Sequence, residues 1–175
     1  GIRGQSINAW KKTLAEAISF MPQHLSCYQL TLEANTPLYK RYDGKKVKEP
    51  NENQQKKFFL ATAEELEKAG YIHYEISNFA RNNNFKSRHN MKYWSHTPYL
   101  GLGPAAHSFL NNRRWWNAAS AKKYLENISQ GKLPLNSEEL LTVEQLKLEA
   151  LFLGLRTKEG IDLKLYKKRY GSDLL

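Results

Sequence analysis

The fold is decided by one stretch, Gly70-Tyr71-Ile72-His73-Tyr74-Glu75-Ile76-Ser77. Its isoleucines and aromatic residues predict a short β-strand over residues 71–77. The preceding residues, roughly 52–69, carry apolar side chains at helical spacing, and Gly70 is well placed to end that helix in the left-handed conformation. The stretch therefore marks the point at which a helix ends and a strand begins.

The same order of a helix followed by a strand occurs nearer the N-terminus. Ser6 is a predicted N-cap for a helix that runs to about Phe20, and residues 24–32 have the composition of a strand. Two successive helix–strand units, each with a helix long enough to cross over a sheet, predict parallel β/α units and an α/β fold. In such barrels the carboxyl ends of the strands carry the chemistry, here residues 30–33 and 75–78.

The C-terminal part of the chain is predicted to be helical. Ser120 begins a helix to about Gln130, and the capping box Thr142-Val143-Glu144-Gln145 opens a second helix. A shorter helix runs from about residue 162 to 170. The tight, basic turn between the last two helices is typical of the start of a winged-helix-like module.

Composition narrows the class of protein. The chain has 175 residues, 41% of them apolar, which suits one ordinary domain or slightly more, and its net charge of +10 indicates a surface for anions. A single cysteine excludes a disulfide framework and any thiolate-ligated cluster built from this chain alone, and favours a reducing, cytoplasmic location. No apolar run reaches membrane-spanning length, and no signal peptide is recognisable. Because the sequence starts at Gly1 and stops just after a helix, we expect a fragment of a longer protein.

The residues from Ile76 to Leu125 have an unusual composition. These fifty residues contain no Asp or Glu, but eight Lys and Arg, nine aromatic residues and three of the five histidines. A pocket of this composition suits a flat apolar ligand that carries carboxylates, such as a tetrapyrrole, because aromatic faces stack on the ring and bases pair with its propionates. Single-stranded nucleic acid fits the same composition, and purely structural aromatic residues are the plainer alternative.

The individual side chains in and near this window are expected to have different roles. His89 lies beside a base, an amide and two aromatic residues, so it is a candidate iron ligand, with a structural role as the alternative. His96 is interpreted as an ordinary loop residue, and His24 and His73 as structural. Glu75, at a predicted strand end, is either a ligand contact or the partner of a nearby arginine.

Five short motifs occur in a characteristic order. They are Gly1-Ile2-Arg3-Gly4-Gln5, residues 24–31, residues 70–80, Ser87-Arg88-His89-Asn90 through Tyr93-Trp94, and residues 99–103 through Ala106-His107-Ser108. Together they resemble the oxygen-independent coproporphyrinogen III oxidase family of radical S-adenosylmethionine (SAM) proteins. The Glu-Ile-Ser-Asn-Phe-Ala stretch and the His-Asn-x-x-Tyr-Trp motif are more similar to the haem-chaperone (HemW-like) branch than to the true oxidase.

The resemblance implies a fold and a set of cofactors. It implies that residues 1–118 are the last β/α units of a partial, TIM-like radical SAM barrel with its following segment, and that residues 119–175 begin a small, mainly helical C-terminal domain. The family binds SAM at a [4Fe–4S] cluster held by a Cys-x-x-x-Cys-x-x-Cys loop, which this sequence lacks. We therefore expect the chain alone to be inactive in radical chemistry.

The resemblance also implies site residues. His89, Asn90, Tyr93 and Trp94 match the motif proposed for haem binding, with His89 as the metal ligand. Thr31 and His107 match positions that contact SAM in the oxidase, and His107 is expected to act through its backbone or packing. Charge and position add candidate propionate partners: Arg88, Lys92, Arg113 and Arg114.

Three hypotheses for function follow. The first is binding of haem and its transfer to haem-accepting proteins; the second is oxidative decarboxylation of coproporphyrinogen III by the full-length protein. The third is nucleic-acid binding, which rests on the net charge and the last two helices and ranks well below the others, because a basic helix is more often a solvated face.

Overall fold

A computed structural model describes residues 1–2, 4–42, 51–171 and 174. It divides the chain into two compact units, Gly1–Ser87 (unit 1) and Arg88–Leu175 (unit 2). This division lies upstream of the predicted domain boundary after residue 118. The assignment of residues 1–118 to a barrel domain stays a prediction.

The described residues of unit 1 form three α-helices and three strands, with a short 3-10 helix at Asn83–Phe85. They are α1 (Ile7–Ser19), β1 (His24–Ser26), α2 (Pro37–Tyr42), α3 (Glu52–Lys68), β2 (Ile72–Glu75) and β3 (Asn78–Ala80). Ser6 caps α1 as predicted, and Asn51 opens α3 with a capping box. Gly70 ends α3 at φ +84°, and the amide of Tyr71 donates to the carbonyl of Leu66, which completes a Schellman motif.

The sheet of unit 1 is antiparallel, in the order β1-β3-β2. β1 and β2 run in the same direction, as predicted, but β3 lies between them and pairs antiparallel with both, so the partial parallel barrel stays a prediction. The cause is local: Glu75 Oε1 accepts hydrogen bonds at 2.6 Å from the Ser77 amide and at 2.6 Å from the Asn78 side chain, and this turn returns the chain along β2. β1 is also shorter than predicted, because β3 begins at Asn78 and offers no partner beyond that register.

The core of unit 1 joins its two long helices to the sheet. Leu14, Leu66, Tyr71 and Phe79 are buried together. The indole of Trp10 donates to the Thr62 hydroxyl at 2.8 Å, and so fixes α1 against α3. Burial of these apolar side chains supplies most of the stability of such a small unit.

Unit 2 contains four helices and a three-stranded antiparallel sheet in the order β4-β5-β6. Its elements are α4 (Arg88–Trp94), β4 (His107–Leu110), β5 (Arg113–Asn117), α5 (Ala121–Ser129), β6 (Leu135–Leu140), α6 (Val143–Gly154) and α7 (Leu163–Tyr170). The helices α5, α6 and α7 confirm the predicted ones. The hairpin between β4 and β5 was not predicted; Asn111 at its tip has φ +58°, a conformation that Asn adopts readily in tight turns.

The fold as a whole is mixed α/β. Among the residues that the structure describes, no helix is long and apolar enough to cross a membrane.

Candidate functional site

Helix α4 presents one basic side to solvent. Arg88, His89 and Lys92 are exposed and Tyr93 is half-buried. At 3.6 residues per turn these positions fall within an arc of about 140° on the helix surface. His89 lies between the two cationic positions and Tyr93 on that arc, and we call the four residues the basic face.

The imidazole of His89 is held by Tyr93. Its Nε2 lies 3.3 Å from the Tyr93 hydroxyl, and the two rings meet edge-on at 4.9 Å between centroids. Tyr93 in turn packs edge-on against Tyr99 at 4.6 Å. His89 is therefore exposed, and the contact of its Nε2 with Tyr93 orients the ring.

Trp94 lies on another side of α4. The Arg156 guanidinium carbon is 4.3 Å from the centroid of its ring, and the Trp94 side chain lines a cavity with residues of α6 and α7. Asn90 is half-buried. The structure thus brings Arg88, His89, Lys92 and Tyr93 together and places Trp94 apart from them, where it anchors the helix.

The two arginines of β5 are already paired with carboxylates. Arg113 forms an ion pair with Glu138, and Arg114 bonds to Glu139 at 2.8 Å and to Glu149 at 2.6 Å. The hydrogen bond that Arg114 donates to Glu149 is the main reason that the pKa of Arg114 is raised. Since these charges are balanced within unit 2, Arg88 and Lys92 are better placed to meet a ligand's carboxylates.

His96 is the residue whose importance the sequence did not reveal. It has φ +51°, its side chain is only 8% exposed, and its ring stacks on Phe109 at 4.7 Å. Its Nε2 lies 3.3 Å from Glu149 and its Nδ1 lies 3.3 Å from the Tyr170 hydroxyl. Burial lowers the pKa of His96, and this outweighs the opposing effect of Glu149. We call His96, Phe109, Arg114 and Glu149 the buried cluster; the interpretation of His96 as an ordinary loop residue is wrong.

A cavity of about 340 Å³ separates the buried cluster from the basic face. Tyr93 belongs to both surfaces, since it contacts His89 and also lines the cavity. The remaining walls come from Tyr99, from the C-terminal half of α6 and from the buried cluster itself.

The glycine-rich segment before β4 is bound tightly to the sheet. A methyl group on Gly101 would lie 2.0 Å from the His107 carbonyl oxygen, so only glycine fits there. Asn117 donates to the carbonyls of Gly101 and Gly103 at 3.3 and 3.0 Å. The backbone of this segment therefore lies close to β4 and β5 within unit 2, and the exposed ring of His107 stacks on Trp116 at 5.5 Å.

Thr31 lies in unit 1, beyond the end of β1, and is exposed. It is not at a strand end as predicted, because β1 ends at Ser26. The contact of Thr31 and His107 with SAM stays a prediction.

The remaining candidate residues of unit 1 make contacts within the fold of that unit. Glu75 is buried and holds the β2–β3 turn; the two roles proposed for it from the sequence stay predictions. His24 Nε2 lies 2.8 Å from the Tyr74 hydroxyl, and His73 stacks on Phe79 at 4.2 Å, as their structural interpretation requires. Burial raises the pKa of the Cys27 thiol, which suits an inert packing residue.

Within the described ranges, no group of three or more His, Cys, Asp or Glu side chains is arranged to hold a metal ion. A bare ion held by a protein cage is thus a poor match for these residues. A metal that is already coordinated by an organic macrocycle needs only one or two protein ligands, and a single exposed imidazole such as that of His89 could supply one.

Comparisons with known proteins agree with one another. Residues 141–175 match the family model of the HemN C-terminal domain. The haem chaperone HemW of Bacillus subtilis is 30% identical over 174 residues, which are 99% of this chain and 46% of that protein. Radical S-adenosyl methionine domain-containing protein 1 of Danio rerio, named as mitochondrial, is 35% identical over 169 residues, 90% of this chain and 37% of that protein.

The fold has a match among solved structures. The coproporphyrinogen III oxidase HemN of Escherichia coli, a radical SAM enzyme, superposes with a TM-score of 0.74 over 98% of this chain and 42% of that one. At 17% identity this likeness concerns the fold. The chain spans less than half the length of the curated relatives it matches.

Proposed function

Because this chain belongs to the HemN/HemW family of radical SAM proteins, as a C-terminal portion of such a protein, we propose that it binds haem on the basic face of α4. The observation that carries this proposal is that one exposed imidazole lies between two exposed cationic side chains and an aromatic ring on a single side of one helix. The curated relatives named haem chaperones support the choice of haem as the ligand.

Each residue of the basic face has a role in this proposal. His89 ligates the iron, and Arg88 and Lys92 pair with the propionates. Tyr93 contacts the edge of the macrocycle and orients the imidazole through its hydroxyl. Trp94 acts indirectly, because its contact with Arg156 holds α4 against the rest of unit 2. Bound haem supplies an iron centre that a partner protein can accept, and the exposed position of the face suits such a transfer.

The rest of the family's chemistry requires residues outside this chain. A [4Fe–4S] cluster needs several thiolates, and the sequence has one cysteine, so the residues present do not fit a cluster. We propose that residues 1–118 form the last part of a radical SAM barrel in the longer protein, and that Thr31 and His107 contact SAM there. The cytoplasmic location also stays a prediction.

A haem titration tests the proposal. The intact protein is titrated with ferric haem and followed by its Soret absorbance, beside a His89→Ala variant and the matched control His107→Ala, which removes another exposed imidazole of unit 2. We expect the wild type to bind haem with near-unit stoichiometry. His89→Ala should weaken this binding by about tenfold or more, because it removes a metal ligand, and His107→Ala should leave it unchanged. Equal binding by all three proteins contradicts the assignment of His89.

The alternative function, oxidation of coproporphyrinogen III, uses the same basic face for a ligand with more carboxylates. Anaerobic turnover of that substrate by the full-length protein with SAM decides between the two. Formation of protoporphyrinogen favours the oxidase, and its absence, with haem bound, favours the chaperone.

A further inference from the structure

The cavity behind Tyr93 differs chemically from the basic face in front of it. Five of its lining side chains are aromatic or aliphatic: Tyr93, Tyr99, Phe109, Phe152 and Leu153. Such walls favour an uncharged, apolar group. A ligand that extends from the basic face past Tyr93 therefore passes from a cationic surface to an apolar one.

The two charged side chains that line the cavity, Arg114 and Glu149, are paired with each other. Arg114 also bonds to Glu139, which lies outside the lining. His96 is buried beside Glu149, and this burial lowers the pKa of its imidazole. A further carboxylate in this cavity therefore meets a cation that is already paired, and it loses part of its hydration.

The order of residues around α4 gives the ligand a direction. Arg88 and Lys92 lie at one end of the arc, His89 in the middle and Tyr93 at the cavity end. With the iron at His89, the propionates extend toward the two bases and the opposite edge of the macrocycle extends toward Tyr93. In haem that opposite edge carries vinyl and methyl groups, whereas in iron coproporphyrin III two further propionates replace the vinyls.

We propose that this cavity receives the vinyl-bearing edge of haem and rejects iron coproporphyrin III, so that it sets the tetrapyrrole specificity of the site. The inference rests on the proposed binding of haem at His89. It goes further by assigning a specificity pocket, which is lined chiefly by α6, β4 and the residues around His96. This pocket selects haem, which has vinyl groups, over iron coproporphyrin III, which has four propionates.

The test compares two ligands and two matched variants in the intact protein. The wild type is titrated with ferric haem and with ferric coproporphyrin III. Phe152→Asp places a carboxylate at the cavity, and Leu148→Asp places one on the same helix outside it. Phe152 and Leu148 are 65% and 52% exposed, so neither change disturbs a buried core, and circular dichroism verifies folding.

We expect haem to bind at least about tenfold more tightly than iron coproporphyrin III, because the apolar cavity penalises a buried carboxylate. Phe152→Asp should weaken haem binding by about fivefold or more, and Leu148→Asp by less than about twofold. Equal affinity for the two ligands overturns the inference even if Phe152→Asp fails to fold. If the two ligands bind equally but haem binding still depends on His89, the proposed function stands and the specificity pocket does not. If the wild type binds no haem, the proposed function and the specificity pocket are both overturned.

Discussion

The basic face and the buried cluster show how differently one segment of chain uses two histidines. His89 lies on the solvent side of α4, with a single 3.3 Å contact to Tyr93. His96 follows the end of the same helix, where a left-handed φ of +51° directs its ring into the interior, onto Phe109 and beside Glu149. The first is available for binding, and the second is committed to the fold.

The histidine content of a segment alone does not locate a binding site. Both residues lie in the same acid-free window of sequence, beside bases and aromatic residues. What separates them is the number of partners that the fold brings to each ring, and the exposure that remains. Substitutions at the two positions should therefore affect different properties.

The largest expected effect on stability is at His96. His96→Ala removes a buried stacked ring together with its contacts to Glu149 and Tyr170, which should lower the free energy of unfolding by about 2–4 kcal/mol. His89→Ala should change it by no more than about 0.5 kcal/mol, because the ring is exposed. Urea denaturation of the intact protein measures both, and equal losses would show that the two histidines are not distinct in this way.

The next effect distinguishes the partly buried ion pair Arg114–Glu149 from the exposed pair Arg113–Glu138. Glu149→Ala leaves Arg114 with one partner in a partly buried position, and we expect a loss of about 1–2 kcal/mol. Glu138→Ala removes the partner of Arg113, where both side chains are about half exposed, and should cost about 0.5 kcal/mol or less. Denaturation midpoints of the two variants provide the comparison; a Glu138 variant as unstable as the Glu149 variant contradicts it.

The smallest effect is a dependence of stability on pH. Burial lowers the pKa of His96 below its ordinary 6.5, while Glu149 opposes this shift and Arg169 and Arg114 add to it. The folded protein therefore binds this proton more weakly than the unfolded chain. The contribution of His96 to the stability is fully present above pH 6.5 and is lost as the pH falls through the pKa that His96 has in the folded protein.

Denaturation between about pH 7.5 and about pH 5.5 measures this dependence. His96→Gln should reduce the slope, and a residual slope is expected from His24, whose pKa is lowered by burial as well. A slope that His96→Gln does not alter would place the titrating group elsewhere.

Most helices of the protein follow from local sequence. Ser6, Asn51 and Thr142 each cap the helix that follows them, and Gly70 and Gly171 end helices in the left-handed conformation. These interactions lie within a few residues of one another, so the sequence shows them directly.

The strand pairing and the buried cluster are less accessible from sequence. β3 is short, and its position between β1 and β2 depends on the turn that Glu75 holds. The cluster joins His96, Arg114 and Glu149, which are far apart in the chain and carry no local signature. The basic face was predictable from its motif, but the separation of Trp94 from His89 appears only when the motif is placed on a helix.

The most direct test of the account is to observe the histidines themselves while the ligand binds. The 175-residue chain, with its five histidines labelled in the ring, is titrated with gallium protoporphyrin IX, a diamagnetic analogue of haem, and followed by NMR. Signals are assigned by single His→Gln substitutions. The account predicts that the His89 ring signal shifts strongly and saturably while the His24 and His73 signals stay in place and His96 keeps its neutral, buried signature. A shift centred on His96 or His107, with His89 unchanged, would contradict it.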